Sequence, residues 1–251
     1  MFLHADRDGS GPPIVLVHGF TQTRRCWGPE AADLARDHEV VRIDAPGHGG
    51  SSEILAGLRT GARLIADQGG EATYLGYSMG ARFCLHLALA NPELVRGLVL
   101  IGGTAGIEGA EERAARKAQD LRTASRLRAE GLAAFLDAWL AQPLFADLPA
   151  ARAFREERLE NTVDGLVSSL EQAGTGSQDP SWHKLDRLEM PVLVMAGERD
   201  AKFRALAERI ASLIGANATL AVVPDAGHAA HLEQPEAFLA ILRPWLEAHG
   251  L

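Results

Sequence analysis

Gly76-Tyr77-Ser78-Met79-Gly80 sets a serine between glycines two residues before and two residues after it. A serine hydroxyl is a weak base and nucleophile until a neighbour takes its proton, so it needs a histidine, and the histidine needs a carboxylate to orient it. An apolar run, Ala72-Thr73-Tyr74-Leu75, leads into the motif, and an apolar helical stretch, Met79 to Ala90, leads out. That is the strand–turn–helix setting in which a serine stands on a strained turn and small flanking residues let backbones approach. A glycine-rich turn with a surface serine is the bland alternative.

Nine histidines are available. His228, in Pro224-Asp225-Ala226-Gly227-His228, follows the last apolar run, where a loop can carry it over a sheet edge. Asp200 closes Gly197-Glu198-Arg199-Asp200 after the preceding run, with Glu198 and Asp225 as rival acids. The expected triad is Ser78, Asp200 and His228. His231, one helical turn beyond His228, reads as a supporting or surface residue. A metal reading of the two histidines finds no third and fourth ligand at useful spacing. Two backbone N–H groups are then required for a developing oxyanion. Met79 supplies one, at the start of the helix after the serine, and Phe20 supplies the other, in the loop after Val17-His18-Gly19. His18 and the Asp44-x-Pro46-Gly47-His48-Gly49 loop read as structural.

Arg82 lies four residues after Ser78, on the same side of a helix that is otherwise apolar almost all round. A guanidinium there is costly without a carboxylate. The partner is either an acid of the protein or a carboxylate of the substrate, held in a bidentate grip.

The elements that must position these residues are short apolar runs bounded by turn residues. They are Ile14–Val17, Val40–Asp44, Ala72–Leu75, Gly97–Ile101, Pro191–Ala196 and Thr219–Val223. Nearly continuous apolar runs suit strands buried on both faces, and helical stretches between them predict an α/β fold with a mostly parallel central sheet flanked by helices. In such a sheet ligands lie at the carboxyl ends of the strands. Residues 104–183 hold no convincing strand, only helical pattern broken by Pro143, Pro149 and Gly174-Thr175-Gly176. This predicts a core of 1–103 and 184–251 with a helical cap or lid inserted at 104–183.

At 251 residues the chain can bury a large core without disulfide or metal. Its composition, 47% hydrophobic and 23% charged, is that of a globular protein, and a net charge of −8 disfavours nucleic-acid binding through phosphate contacts. Cys26 and Cys84, far apart, read as buried small hydrophobes of a reducing compartment. With no signal-peptide pattern and no long apolar run, the expectation is a cytoplasmic protein without membrane contact. No metal or cofactor is implied.

The motifs HGF, DAPGHG, GYSMG, GERD and PDAGH, in this order along the whole chain, resemble the α/β-hydrolase superfamily, and Ser…Asp…His is its chain order. More specific strings lie in the insertion and its flanks: Gly103-Thr104-Ala105-Gly106-Ile107, Glu112-Arg113-Ala114-Ala115-Arg116, Trp139-Leu140-Ala141-Gln142-Pro143-Leu144-Phe145, Glu157-Arg158-Leu159-Glu160-Asn161, Gly174-Thr175-Gly176-Ser177-Gln178-Asp179-Pro180-Ser181-Trp182 and Gly197-Glu198-Arg199-Asp200-Ala201-Lys202-Phe203. Together they resemble the 2-succinyl-6-hydroxy-2,4-cyclohexadiene-1-carboxylate synthases of menaquinone biosynthesis. The resemblance implies a lyase that eliminates pyruvate from 2-succinyl-5-enolpyruvyl-6-hydroxy-3-cyclohexene-1-carboxylate, with Ser78 as general base. It also implies that Arg82, Arg116 and Arg158 clamp the carboxylates of a tricarboxylate substrate, and that Tyr77 and Trp139 line the pocket. The string around Arg158 allows a shift of one position, and Trp139 also reads as lid core. The alternative function is a serine hydrolase, a carboxylesterase or C–C bond hydrolase, on an anionic small molecule. A non-catalytic binder on this fold is a third class, one a complete triad argues against.

Overall fold

A computed structural model describes residues 2–251. Seven strands form one sheet: β1 (Ala5–Gly9), β2 (Pro13–Val17), β3 (Glu39–Ile43), β4 (Ala72–Tyr77), β5 (Val95–Ile101), β6 (Val192–Gly197) and β7 (Ala218–Val223). Their spatial order is β1-β3-β2-β4-β5-β6-β7, and every pairing is parallel except β1 with β3. The six apolar runs of the sequence become β2 to β7. β4 and β6 are buried along their whole length because helices cover both faces.

The chain adds β1, which no apolar run announces. Ala-Asp-Arg-Asp-Gly is half-buried to exposed, lies at the sheet edge and pairs on one side only, so it has no apolar face to bury. Its charges also guard that edge against pairing with another chain.

Helices α1 (Gly28–Leu34) and α10 (Pro235–His249) supply buried side chains to one face of the sheet, with Leu34, Phe238 and Trp245, joined by Trp27 just before α1, in one cluster with Leu16, Tyr77 and Ile101. On the other face α2 (Leu58–Gly69), α3 (Met79–Ala90) and α8 (Ala201–Ile214) pack Ile65, Phe83, Cys84 and Ile210 against Val17, Tyr74, Leu98 and Val194. Between β5 and β6 the chain forms no strand. It runs through α4 (Ala110–Glu130), α5 (Leu132–Leu140), the short α6 (Arg155–Arg158) and α7 (Val163–Ala173). Ala124, Leu127, Phe135, Leu166, Val167 and Leu170 give this segment a small core of its own, against which Phe20 and Trp139 rest. A short α9 (Ala230–Glu233) precedes α10.

Candidate active site

Four strand ends meet at one edge of the sheet. Ser78 follows β4 directly, Phe20 lies three residues beyond β2, Asp200 three beyond β6 and His228 five beyond β7. The serine occupies φ 51°, ψ −103°, a left-handed conformation that a non-glycine residue adopts only under constraint. Its amide donates to the carbonyl of Ile101 and its own carbonyl starts α3 by accepting from Arg82. Gly76 and Gly80 make the turn possible. A Cβ on Gly80 would run into the carbonyl of Val17, and one on Gly76 into the backbone of Gly80.

His228 Nε2 lies 3.1 Å from Ser78 Oγ, and His228 Nδ1 lies 2.7 Å from Asp200 Oδ2. The second Asp200 oxygen accepts the amide of Phe203 at 3.2 Å, so the carboxylate also caps α8 and is fixed from two sides. The imidazole is buried, with the Phe203 ring 4.3 Å away and the Tyr77 ring 5.4 Å away. Gly102 leaves it room, since a Cβ there would press on Cε1. The rival acids turn outward: Glu198 accepts the amide of Asp225, and Asp225 pairs with Arg199, all exposed. His231 is buried, not at the surface, between Trp27 and Tyr77, and burial holds its pKa well below the usual histidine value.

The amide of Met79, first residue of α3, has no acceptor within its helix. That of Phe20 donates to no acceptor among the described residues. Three contacts shape the loop that carries Phe20. Gly19 accepts His18 Nδ1–H at 2.8 Å, the Gly19 amide donates to Gln22 Oε1 at 2.9 Å, and the Ala45 amide donates to His18 Nε2 at 3.0 Å. An imidazole that donates at one nitrogen and accepts at the other is neutral, and burial accordingly lowers the His18 pKa to about 4. Asp44 accepts from Arg24 and from the Gly50 amide, so the loop after β3 is built as a support.

A cavity of about 360 Å³ opens above Ser78, Met79 and His228, walled by Phe20, Trp139, Arg82 and the inner side of α4. Arg82 is 7% exposed and gives Nη1 to the Ala173 carbonyl at 2.7 Å. No carboxylate of the described residues pairs with it, so the internal ion pair weighed as its explanation is absent. Burial lowers its pKa to about 10, leaving it a cation at neutral pH. Arg116 reaches the cavity from α4, with Nε on Asp120 Oδ1 at 2.8 Å. Trp139 serves both readings at once, lining the cavity while packing on Phe20 and Phe135.

Two residues expected in the pocket lie behind it. Arg158 is 1% exposed and is outside the cavity wall. Its Nε goes to the Ala153 carbonyl at 2.7 Å and its Nη1 to Thr21 Oγ1, underneath the loop that carries Phe20. The Tyr77 ring fills the space that a side chain on Gly19 would need, and burial pushes its phenol pKa up. The structure also brings forward two residues that sequence reasoning missed. Asp120 lines the cavity, and Glu233 accepts the amides of Gly227 and Ala229 on either side of His228. Glu233, five residues after His228 on the short helix, carried a signal only in that proximity.

The family model of the alpha/beta hydrolase family matches residues 14–241. A protein of Salmonella schwarzengrund (strain CVM19633), named 2-succinyl-6-hydroxy-2,4-cyclohexadiene-1-carboxylate synthase, is 36% identical over 250 residues, covering 94% of this chain and 95% of the relative. The structure of MenH from S. aureus superposes with a TM-score of 0.90 at 26% identity, covering 99% of both chains. A malate-bound thermophilic esterase from Thermogutta terrifontis follows at TM-score 0.84 and 25% identity, covering 99% of this chain and 94% of the esterase. The chain therefore belongs to the alpha/beta hydrolase family and, within it, to the 2-succinyl-6-hydroxy-2,4-cyclohexadiene-1-carboxylate synthases.

Proposed function

We propose that this enzyme eliminates pyruvate from 2-succinyl-5-enolpyruvyl-6-hydroxy-3-cyclohexene-1-carboxylate in menaquinone biosynthesis, acting in the cytoplasm. Arg82 carries the reading. It is a buried cation one helical turn from Ser78, faces the reaction cavity and is left without a carboxylate by the protein itself. A pocket for neutral esters gains nothing from such a group, whereas a polycarboxylate substrate supplies its missing partner. Residues 104–183 act as a cap that closes the cavity with α4, α5 and α7.

The ring proton next to the succinyl ketone is the acidic one. Ser78 Oγ takes it while passing its own proton to His228 Nε2, and Asp200 steadies the imidazolium that results. The amides of Phe20 and Met79 hold the enolate oxygen, which carries the charge released from the C–H bond. The electron pair then returns through the ring. A new double bond forms at the deprotonated carbon, the existing one shifts by one position, and the bond to the enolpyruvyl oxygen breaks. The imidazolium is placed to return a proton, and the departing enol becomes pyruvate. No acyl-enzyme forms, because no acyl bond is broken.

Arg82→Ala separates this reading from a hydrolase of neutral esters, and release of pyruvate as the product separates it from a hydrolase of an anionic one. The lyase loses roughly 10²-fold in kcat/KM for the tricarboxylate, the scale of a charge-assisted hydrogen-bonded pair. Hydrolysis of a neutral ester such as 4-nitrophenyl acetate, measured on the same preparation, stays within about two-fold. Undiminished pyruvate release by Arg82→Ala removes the observation on which the reading stands.

A further inference from the structure

Among the described residues the cavity is lined by four cations, Arg82, Arg116, Arg126 and Lys202, and by one acid, Asp120. An acid is out of place in a pocket for a polycarboxylate, because at long range it repels the ligand. Asp120 is nonetheless buried, 5% exposed, and both of its oxygens are engaged. Oδ1 accepts Nε of Arg116 at 2.8 Å, and Oδ2 accepts the amide of Gly176 at 3.1 Å. Gly174 has no space for a Cβ, because the Leu170 carbonyl and the Asp120 carboxylate both crowd it. Residue 173, at the root of the same turn, gives its carbonyl to Arg82.

One carboxylate thus holds the guanidinium of Arg116 directly and touches that of Arg82 only through the turn behind it. With Nε anchored on Asp120, the two Nη groups of Arg116 have no acceptor among the described residues, and they form the fork that grips a carboxylate end-on. By holding Gly176, Asp120 seats the turn that presents the Ala173 carbonyl to Arg82. Two like charges facing one cavity also repel each other, and a carboxylate beside them offsets that repulsion.

We propose that Asp120 is a positioning residue for substrate binding, which orients Arg116 towards the cavity and seats the 174–176 turn behind Arg82. This rests on the polycarboxylate substrate proposed above. Its consequence runs against simple charge counting: removing a negative charge from the pocket weakens the binding of an anion.

The test is a double-mutant cycle on Asp120→Asn and Arg116→Ala, reading KM and kcat for pyruvate release and, by calorimetry, the Kd of 2-succinylbenzoate, an aromatic dicarboxylate that keeps the succinyl ketone. In the native background Asp120→Asn raises KM and Kd by about five- to fifty-fold, the worth of one charged hydrogen bond, while kcat moves by less than roughly three-fold. In the Arg116→Ala background the same change moves KM and Kd by a distinctly smaller factor, about a third or less of that in the native background, because only the part that reaches Arg82 through the 174–176 turn remains. A merely structural role costs the same factor in both backgrounds and overturns the proposal, as does an unchanged or lowered KM in the native background. Failure of the unmutated enzyme to release pyruvate above the spontaneous rate sinks the parent reading and this one with it. Normal release with an unmoved Asp120→Asn sinks this one alone.

Discussion

Ser78 holds a left-handed backbone conformation that costs about 1–3 kcal/mol for a residue with a side chain. Its bonds to Ile101 and Arg82 keep it there, and the reward is a hydroxyl raised clear of the sheet and aimed at His228. The histidine is held with equal care. Asp200 fixes its ring, while Glu233 fixes its backbone by accepting the amides of Gly227 and Ala229. Burial raises the Glu233 pKa, and those two amides oppose the rise by favouring the carboxylate. Glu233→Gln can accept only one of the two and turns an NH2 towards the other. We expect kcat to fall roughly ten-fold with KM little changed, since an ångström of displacement at a general base is costly while the carboxylate contacts are untouched. Steady-state kinetics of pyruvate release check this. A rise in KM at constant kcat would place Glu233 in binding instead.

At the scale of elements, the site is a property of strand ends. β2, β4, β6 and β7 each deliver one component to the same edge, and the register works only if α3 lies close on β2. Gly80 is the contact point. Gly80→Ala drives a methyl group into the Val17 carbonyl and separates the helix that bears Met79 from the strand that leads to Phe20. A loss of about 1–3 kcal/mol in urea unfolding is expected from the overpacking, with a larger fractional loss of activity as the two amides part. Unchanged stability would mean that α3 has slack. The same elements show what sequence can carry. Continuous apolar runs betray buried strands, so β2 to β7 are readable. β1 buries little apolar surface beyond Ala5 and is held by backbone pairing with β3 and by ion pairs such as Asp6–Arg24 and Arg7–Glu39, which leave no apolar pattern in Ala-Asp-Arg-Asp-Gly. α4 is readable as a helix, but few of its side chains are buried. Nothing in its spacing says that Arg116 and Asp120 face the cavity.

For the whole molecule, the triad is readable because its chemistry demands residue types in a fixed chain order, each beside a strand end. Arg158 and Tyr77 are harder to place, because the same polar side chain can face a cavity or brace the loop behind it, and only tertiary packing decides. A net charge of −8 likewise says nothing of the cavity, where four cations outnumber one acid among the described residues and focus an attractive field on an anion. No helix of the described residues is long and apolar enough to cross a membrane.

Stability should follow the buried histidines. Burial lowers His18 to about 4 and His48 to about 3, and His231 well below the usual value. In the unfolded chain each titrates near 6.5, so between that value and the folded one the unfolded state binds more protons. Stability is therefore complete above about pH 6.5 and is lost as pH falls towards 4, by up to about 1.4 kcal/mol per pH unit for each histidine. Urea midpoints from pH 7.5 to 4.5 should decline with steepening slope. A flat profile would mean that these imidazoles are charged in the fold.

The most direct test of the elimination is pyruvate release from freshly prepared 2-succinyl-5-enolpyruvyl-6-hydroxy-3-cyclohexene-1-carboxylate, corrected for spontaneous decay, with the native enzyme beside Ser78→Ala. Rapid release that falls by roughly 10³-fold or more on loss of the serine hydroxyl is the predicted result. Release no faster than the uncatalysed decay, or release that survives in Ser78→Ala, would contradict it.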